Sequence, residues 1–539
     1  MRLSASTPVD KTSSPYPRRW WALLVLCLSL LIIVMANTAL IVAAPDMTRD
    51  LGLDSSELQW VIDGYTVPYA ALMLLLGAVG DKYSRRGALV TGLAIFAAGS
   101  VAGSLVDSST AVIAARAVMG LGAAMIMPAT LSLLVATFPR GERARAITVW
   151  TATSGLGVAV GPLIAGWLLE GHAWGSTFLI NVPIALLAIV GAFALVPPSR
   201  AHGMGKLDLV GGVLSIVAVG SLVYAVIEGP HFGWTAGPVA AAVIAGLALA
   251  AFVLWELRHP HPVLDVRKFR DRTFSGSTIA VLMFFLGTFG AIYYITQDLQ
   301  FVQGYTPLET GVRMLPLAGG VCLGAALTGR LTPLLGMKVT VIAGMVIGAV
   351  GVLLMTQVDA DSSYGSFLGP FILLGLAVGL SVSPCTDTIM GAFPEGELGV
   401  GGGVNDTALE LGGSLGIAIL GSLLATSYRD NLTDSVGNAL PPEALSVARD
   451  SIGGALAVAG QVAHDPSGGV AKSQALVSAA NAAFSDSVAT TSLIGGIIMT
   501  AGAVIVMALL PGRKDRLSPP PDREAGDIET VDTSSGRSV

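Results

Sequence analysis

Apolar residues are concentrated in long stretches, and short segments between them carry most of the polar and charged residues. A spanning α-helix needs about 20 predominantly apolar residues to cross the hydrocarbon core of a bilayer, which is about 30 Å thick. Fourteen stretches have this length, so the pattern predicts an all-α polytopic membrane protein. The stretches cover residues 20–44, 58–80, 87–106, 110–138, 146–169, 176–197, 208–227, 237–256, 273–297, 311–335, 339–358, 364–386, 403–427 and 486–510.

The basic residues lie mostly on one side of this arrangement. If the N-terminus is placed in the cytoplasm, 24 of the 30 Lys and Arg residues fall in cytoplasmic segments. Cytoplasmic loops of membrane proteins carry such an excess of positive charge. We therefore expect both termini in the cytoplasm. The Arg/Lys ratio of 23 to 7 and the richness in Ala and Gly are typical of a GC-rich bacterium, so we expect the protein in a bacterial inner membrane.

Composition excludes several classes of protein. Only 12% of the residues are Asp, Glu, Lys or Arg, whereas a soluble domain has about 25%, so a soluble enzyme is not expected. With 30 basic and 36 acidic residues, no basic excess indicates a nucleic-acid partner. The three cysteines, Cys27, Cys322 and Cys385, are far apart in the sequence and form no metal-binding motif, so no metal or cofactor is expected.

The segment after the second stretch combines glycine with charge. It predicts a basic cytoplasmic turn in which Gly77 permits a close approach and Asp81 can form an ion pair. Its sequence resembles the signature G-x-L-x-D-R-x-G-R-K of the major facilitator superfamily, with Ser84 in place of the second glycine. The segment reads Gly77-Ala-Val-Gly-Asp81-Lys-Tyr-Ser84-Arg85-Arg86.

Two further segments resemble signatures of the same superfamily. Arg116, which begins an R-x-x-x-G-x-G match in span four, is a candidate functional residue because charge within a membrane is costly. Span five contains G-x-x-x-G-P-x-x-x-G, which resembles the antiporter motif found in exporters of this superfamily. The residues of the antiporter motif are Gly157, Gly161, Pro162 and Gly166.

The chain as a whole resembles the fourteen-helix drug:proton antiporters over nearly all of residues 18–512. Within that family it looks most like exporters of quaternary ammonium compounds, dyes and fluoroquinolones. The resemblance implies a major-facilitator fold with two six-helix halves and two extra central helices. The implied parts are a cytoplasmic tail (1–19), an N-terminal half (20–197), the extra helices with a linker (198–272), a C-terminal half (273–512) with a partly helical extracellular loop (428–485), and a disordered cytoplasmic tail (513–539).

Few acidic residues lie within the predicted spans. Asp63 lies in span two, and Asp406 and Glu410 are four residues apart in span thirteen, hence on one helical face. A carboxylate shielded from water favours its neutral form, so these acids are candidates for proton coupling and for attraction of a cationic drug. Asn37 stands where the family usually has Asp in helix one, and it cannot titrate. Structural roles as hydrogen-bonding groups are the alternative.

Aromatic residues near these acids are candidates for cation–π contacts with lipophilic cations. Trp and Tyr at the ends of spans also form the interfacial belt of membrane proteins, so that role stays open. Glu228 and Asp298 are expected at the outer interface of the membrane. The candidate aromatic residues are Trp60, Tyr65, Tyr69 and Trp150.

The sequence therefore predicts a proton-coupled exporter of amphipathic, cationic drugs, with drug and protons as its partners and a monomeric state. No nucleotide-binding loop of the form G-x-x-x-x-G-K-[ST] is present, which favours a gradient-driven transporter. An exporter of one endogenous antibiotic or metabolite and a non-transporting ligand sensor are the alternatives. An intramembrane enzyme is disfavoured because no histidine falls within a span.

Overall fold

The structure, a computed structural model, describes residues 16–53, 55–200, 207–232, 234–437, 440–464 and 469–512. Helices account for nearly all of it. The predicted tail 513–539 and most of the tail 1–19 lie outside the described residues. The helices are α1 (Arg19–Leu51), α2 (Ser55–Tyr83), α3 (Arg85–Ser104), α4 (Ser109–Thr137), α5 (Arg140–Leu169), α6 (Ser176–Leu179), α7 (Asn181–Leu195), α8 (Leu209–Phe232), α9 (Ala236–Glu256), α10 (Arg272–Gln297), α11 (Pro307–Arg313), α12 (Leu315–Leu335), α13 (Met337–Leu354), α14 (Gly365–Gly391), α15 (Leu398–Val436), α16 (Pro442–Asp450), α17 (Ile452–Val462) and α18 (Gly469–Leu509).

Fourteen segments of the described chain are long and apolar enough to cross a membrane, which confirms the predicted number. The short α6 and α7 together form one of them, as do α11 and α12. The helix α10 continues into a π-helical turn, Asp298–Val302. We call the end of the bundle at which α1 begins and α18 ends the basic face, because most Lys and Arg residues of the described segments lie there.

Buried apolar side chains form two large clusters. One lies mainly among the helices α1 through α7, and the other lies mainly among α10 through α18. Between them, α8 packs against both α2 and α15, while α9 packs against α8. The extra helix pair therefore lies at the side of the bundle, where two long helices of different halves meet.

Two helices extend well past the membrane at the face opposite the basic face. The helix α15 has 39 residues and α18 has 41, against the roughly 20 that a bilayer requires. The helices α16 and α17 lie between them, and the Tyr428 hydroxyl of α15 donates a hydrogen bond to the Ala448 carbonyl at 3.2 Å. The region 428–485 thus contains the end of α15, the helices α16 and α17, and the start of α18.

The structure differs from the sequence-based expectation at the glycine-rich turn. Gly77 and Asp81 lie inside α2, and only Ser84 separates α2 from α3. The helix continues because nothing between Gly77 and Tyr83 breaks it. Ser84 is the N-cap of α3, because its Oγ atom accepts a hydrogen bond from the Gly87 amide at 2.9 Å.

The two acids expected at the outer interface are instead buried within the protein. Asp298 is 0% exposed and Glu228 is 7% exposed. Asp298 lies in the π-helical turn that follows α10, where packing against α18 covers it. Position near the end of a span therefore did not indicate contact with the membrane surface.

Candidate functional site

Arg116 is a fully buried charged residue of the N-terminal half. It lies on α4 and is 0% exposed. Its Nε atom donates to the Val61 carbonyl at 3.0 Å, and its Nη2 atom donates to the Ile62 carbonyl and to Oδ1 of Asn37, both at 3.3 Å. These bonds join α4 to α2 and α1. The Nη1 atom has no hydrogen-bond partner among the described residues.

Two tyrosines of α2 extend this cluster toward the second half. The guanidinium of Arg116 lies 4.4 Å from the ring centre of Tyr65, a cation–π distance. The Tyr65 and Tyr69 rings are 5.3 Å apart. Both tyrosines are close enough to Glu410 of α15 to interact with it electrostatically, and Tyr69 also interacts with Asp406.

Asp406 and Glu410 form the part of the site that α15 supplies. They follow the start of α15 by 8 and 12 residues, about 12 and 18 Å along the helix axis, which is within the thickness of a bilayer. Asp406 is 0% exposed, and its Oδ1 atom accepts a bond from Nδ2 of Asn405 at 2.9 Å. Its Oδ2 atom has no partner among the described residues, so half of this carboxylate is left for a proton or a cation.

Asn405 and Thr386 support the acid pair and were not predicted. The Thr386 hydroxyl on α14 donates to Oδ1 of Asn405 at 2.9 Å, which orients the Asn405 amide toward Asp406. Asn405 directly precedes Asp406 in the sequence, but adjacent residues on a helix do not share a face. The packing of α14 against α15 brings Thr386 to Asn405, so the sequence alone did not indicate that these two residues support Asp406.

The remaining predicted residues occupy different surroundings. Asp63 is half-buried and interacts electrostatically with Arg116. The Trp60 ring packs 5.8 Å from the ring of Tyr224 on α8. Trp150 is 1% exposed in the core of the N-terminal half, where its Nε1 atom donates to the Thr130 hydroxyl. Whether these aromatic residues contact a drug stays a prediction.

At the basic face, Asp81 connects the two halves. Its Oδ1 atom accepts from Nε of Arg85 at 2.6 Å. Its Oδ2 atom accepts from the backbone amides of Gly399 and Val400 at 2.6 and 3.3 Å. These amides are at the N-terminus of α15, where free N–H groups and the helix dipole attract an anion. The close approach of α2 to α15 requires Gly77, because a Cβ there would lie 2.3 Å from the Gly399 carbonyl oxygen.

The arginines of this motif complete the connection. Arg85 donates from Nη1 to the Ser199 hydroxyl at 3.1 Å and from Nη2 to the Glu395 carbonyl of the second half. Arg86 remains within the first half, where Nη1 donates to the Val196 carbonyl at 3.1 Å. Asp81 and Arg85 therefore bridge the halves, whereas Arg86 does not.

We expect Asp81→Asn to slow transport about tenfold, while drug affinity changes by less than twofold. Losing a charge-assisted hydrogen bond removes about 1.5–3 kcal/mol from the state in which the halves are joined at the basic face. A matched control is Glu142→Gln, which removes an ion pair with Arg19, also at 2.6 Å on this face but within one half. Transport rate and equilibrium drug binding measured on the same vesicles separate the effects, and a loss of affinity at unchanged maximal rate would contradict this role.

The antiporter motif brings α5 against helices of both halves. A Cβ at Gly161 would lie 1.9 Å from the Thr38 hydroxyl oxygen of α1, and Gly157 approaches Val34 in the same way. Further along α5, Gly166 contacts Leu308, and Pro162 contacts Gly311, both on α11 of the second half. The motif thus allows α5 to pack closely on α1 and on the second half at once.

Comparison with known proteins identifies the relatives of this chain. Residues 26–417 match the profile of the Major Facilitator Superfamily. The multidrug efflux pump LfrA of Mycolicibacterium smegmatis is 34% identical over 490 residues, which cover 91% of this chain and 96% of that protein. The tetracenomycin C resistance and export protein of Streptomyces glaucescens is 31% identical and covers 96% of each chain. The methyl viologen resistance protein SmvA of Salmonella typhimurium is 33% identical over 88% of this chain and 95% of that protein.

Solved structures share the fold at lower sequence identity. A bacterial homologue of the human lysosomal transporter Spinster, in an inward-facing and unoccupied conformation, superimposes with a TM-score of 0.58. It is 19% identical and covers 94% of this chain and all of that chain. Within the described residues, no group of three or more His, Cys, Asp or Glu side chains is arranged to hold a metal ion.

Proposed function

The chain belongs to the Major Facilitator Superfamily, and we propose that it is a proton-coupled multidrug efflux transporter for amphipathic cations. The observation that carries the proposal is the buried cluster shared by both halves. Tyr65 and Tyr69 of the first half interact electrostatically with Glu410 of the second, and Tyr69 also interacts with Asp406. The guanidinium of Arg116 lies over the Tyr65 ring. The similarity to the efflux pump LfrA over 91% of the chain supports the same function.

The chemistry of the acid pair accounts for exchange of a drug against protons. An ionised carboxylate buried among few donors is costly, and either a cationic drug or a proton reduces that cost. Because Asp406 and Glu410 are neighbours on one face of α15, occupation of the site by one cation opposes occupation by another. Protonation from outside would therefore release the drug, and drug binding from inside would release protons.

Movement of the two halves around this site would provide alternating access. The Asp81 and Arg85 contacts join the halves at the basic face, so they must break before that face opens. We infer that the basic face is cytoplasmic, that both termini lie there, and that the protein acts as a monomer in the inner membrane. Drug, protons and lipid are then its partners, and the protein carries out transport rather than catalysis.

The names of the relatives favour multidrug efflux over the alternative of a single endogenous substrate, although both kinds of name occur. One relative is named for resistance to tetracenomycin C and another, from Streptomyces alboniger, for resistance to puromycin. The relatives LfrA and SmvA are named for multidrug efflux and for methyl viologen resistance. Methyl viologen is a small dication, which agrees with an acidic site.

Everted membrane vesicles test the proposal directly. We expect an imposed proton gradient to drive accumulation of ethidium, methyl viologen and a quaternary ammonium antiseptic, and we expect a protonophore to abolish it. Accumulation of only one compound class would favour the single-substrate alternative. Binding without gradient-driven accumulation would indicate a sensor and contradict the proposal.

Charge selection at Asp63 gives a sharper prediction. We expect Asp63→Asn to reduce transport of cationic dyes about tenfold, since an ion at about 4 Å in a protein environment gains several kcal/mol from a carboxylate, and to reduce transport of neutral drugs less than twofold. The control is Asp107→Asn, the same change at an exposed position between α3 and α4. Paired transport assays at equal protein levels provide the measurement. Equal losses for cationic and neutral drugs would assign Asp63 to coupling or folding.

A further inference from the structure

A cleft of about 430 Å³ lies between α8 and α9 near the basic face, away from the drug site. None of its residues belongs to the clusters described above. Its walls come from the helix pair itself and from the segment that follows α9. The lining residues are Leu214, Ala251, Leu254, Trp255, Arg258, His259 and Pro260.

The surroundings of the cleft are apolar and face the membrane. Val243, Leu247 and Leu254 on the outer side of α9 are 56%, 67% and 53% exposed. They recur at helical spacing, so they form one stripe that leads along α9 into the cleft. Such a stripe on a spanning helix contacts lipid chains. Trp255 at its end has the position of an interfacial aromatic residue.

A buried carboxylate fixes the polar end of the cleft. Asp208 is 4% exposed, and it accepts hydrogen bonds from Nε1 of Trp255 at 2.8 Å and from the Gly211 amide at 2.9 Å. The Nδ1 atom of His259 lies 3.5 Å from its Oδ2 atom. The Trp255 and His259 rings are stacked with centres 5.4 Å apart. Asp208 therefore holds both rings at the mouth of the cleft.

The exposed polar groups at this mouth are basic. Arg258 is exposed there, and the imidazole of His259 lines the cleft together with it. The acids close by, Asp208 and Glu256, are 4% and 0% exposed, and the Asp208 carboxylate is already bonded to Trp255 and to the Gly211 amide. An anion at the mouth would thus meet basic groups first.

We propose that this cleft binds one anionic phospholipid, with an acyl chain along α9 and the phosphate between Arg258 and His259. Basic pockets between transmembrane helices on the cytoplasmic side recognise anionic headgroups, and here the apolar stripe continues directly into such a pocket. The proposal requires only that the chain is embedded in a membrane. It is independent of which drug is transported.

Native mass spectrometry of the purified full chain, titrated with phosphatidylglycerol or phosphatidylcholine, tests the proposal. We expect the wild-type protein to retain phosphatidylglycerol preferentially. Each Lys or Arg near a membrane surface changes binding about fivefold, so the Arg258→Gln, His259→Gln double variant should weaken phosphatidylglycerol retention at least fivefold. The matched control is Arg270→Gln, because Arg270 is exposed on the same face but does not line the cleft. This variant should retain phosphatidylglycerol as the wild-type protein does.

A second variant separates the lipid from other ligands and from misfolding. Leu254→Trp fills the cleft at an exposed position, so it should reduce phosphatidylglycerol retention without lowering the transport rate. Millimolar inorganic phosphate should not displace the lipid. Displacement by phosphate would assign the mouth to a free anion, and equal retention of both lipids or no effect of the double variant would likewise overturn the proposal.

Discussion

Replacing both acids of α15, as Asp406→Asn with Glu410→Gln, should reduce gradient-driven efflux at least tenfold, and each single change should cause a loss of similar size. A tenfold loss corresponds to about 1.4 kcal/mol in the transport barrier, which is less than the cost of moving one buried charge. Because the two residues lie on one face and share the neighbour Tyr69, they should behave as one unit. The combined loss should therefore be smaller than the product of the single losses.

The pH dependence of transport is the most specific measurement of this pair. In the wild-type protein, drug binding should weaken as the pH falls, because protons compete for the carboxylates. In the double variant, residual drug binding should not change over the pH interval in which wild-type binding weakens. Asp430→Asn is the control, since Asp430 is an exposed residue of the same helix. Wild-type pH dependence in the double variant would show that the pair is structural.

Coupling at these residues would also explain the asparagine at position 37. The structure places the Asn37 amide 3.3 Å from Arg116, in the first half. With no carboxylate at position 37, Asp63 is the acid of the first half that interacts with Arg116, and Asp406 and Glu410 are the acids of the second half. A proton site on α15 and the fixed positive charge of Arg116 are on different halves, so a change in protonation there alters the attraction between the halves.

The spans could be predicted from the sequence because membrane insertion depends on local apolar length. The fourteen predicted stretches agree with the fourteen apolar helices, and the pair Asp406 and Glu410 follows from helical spacing alone. The ends of helices were less predictable. The extension of α15 and α18 accompanies their packing with α16 and α17, and contacts between separate segments set its length rather than the apolar length of one span.

Contacts between distant segments were beyond the sequence. The partners of Asp81 are backbone amides more than 300 residues away. The sequence does not distinguish one backbone amide from another, so it could not indicate them. No motif in the sequence marks Thr386 and Asn405, because their contact forms only when α14 and α15 pack together. Burial of Asp298 was also beyond the sequence. A residue near the end of a span becomes buried when a neighbouring helix extends past it.

Arg116→Gln should reduce transport more than tenfold and lower thermal stability, with Arg116→Lys intermediate. The guanidinium makes three hydrogen bonds to α1 and α2 and stacks on Tyr65. Hydrogen bonds to a charged group contribute about 1.5–3 kcal/mol each. Lysine keeps the charge but not the planar fork that reaches several acceptors. The control is Arg145→Gln, since that guanidinium lies 5.0 Å from the Trp20 ring but is exposed at the basic face.

A double-mutant cycle with Asn37→Asp identifies what the charge of Arg116 does. In the wild-type background the new carboxylate would pair with Arg116, so we expect unchanged or higher thermal stability. In the Arg116→Gln background the same carboxylate would be half-buried without a cation, and the cost would approach the roughly 3–5 kcal/mol of an unpaired buried charge. Asn37→Asp should therefore lower the melting temperature only when Arg116 is absent. Equal effects in both backgrounds would mean that the contact between Arg116 and Asn37 contributes nothing to the folded protein.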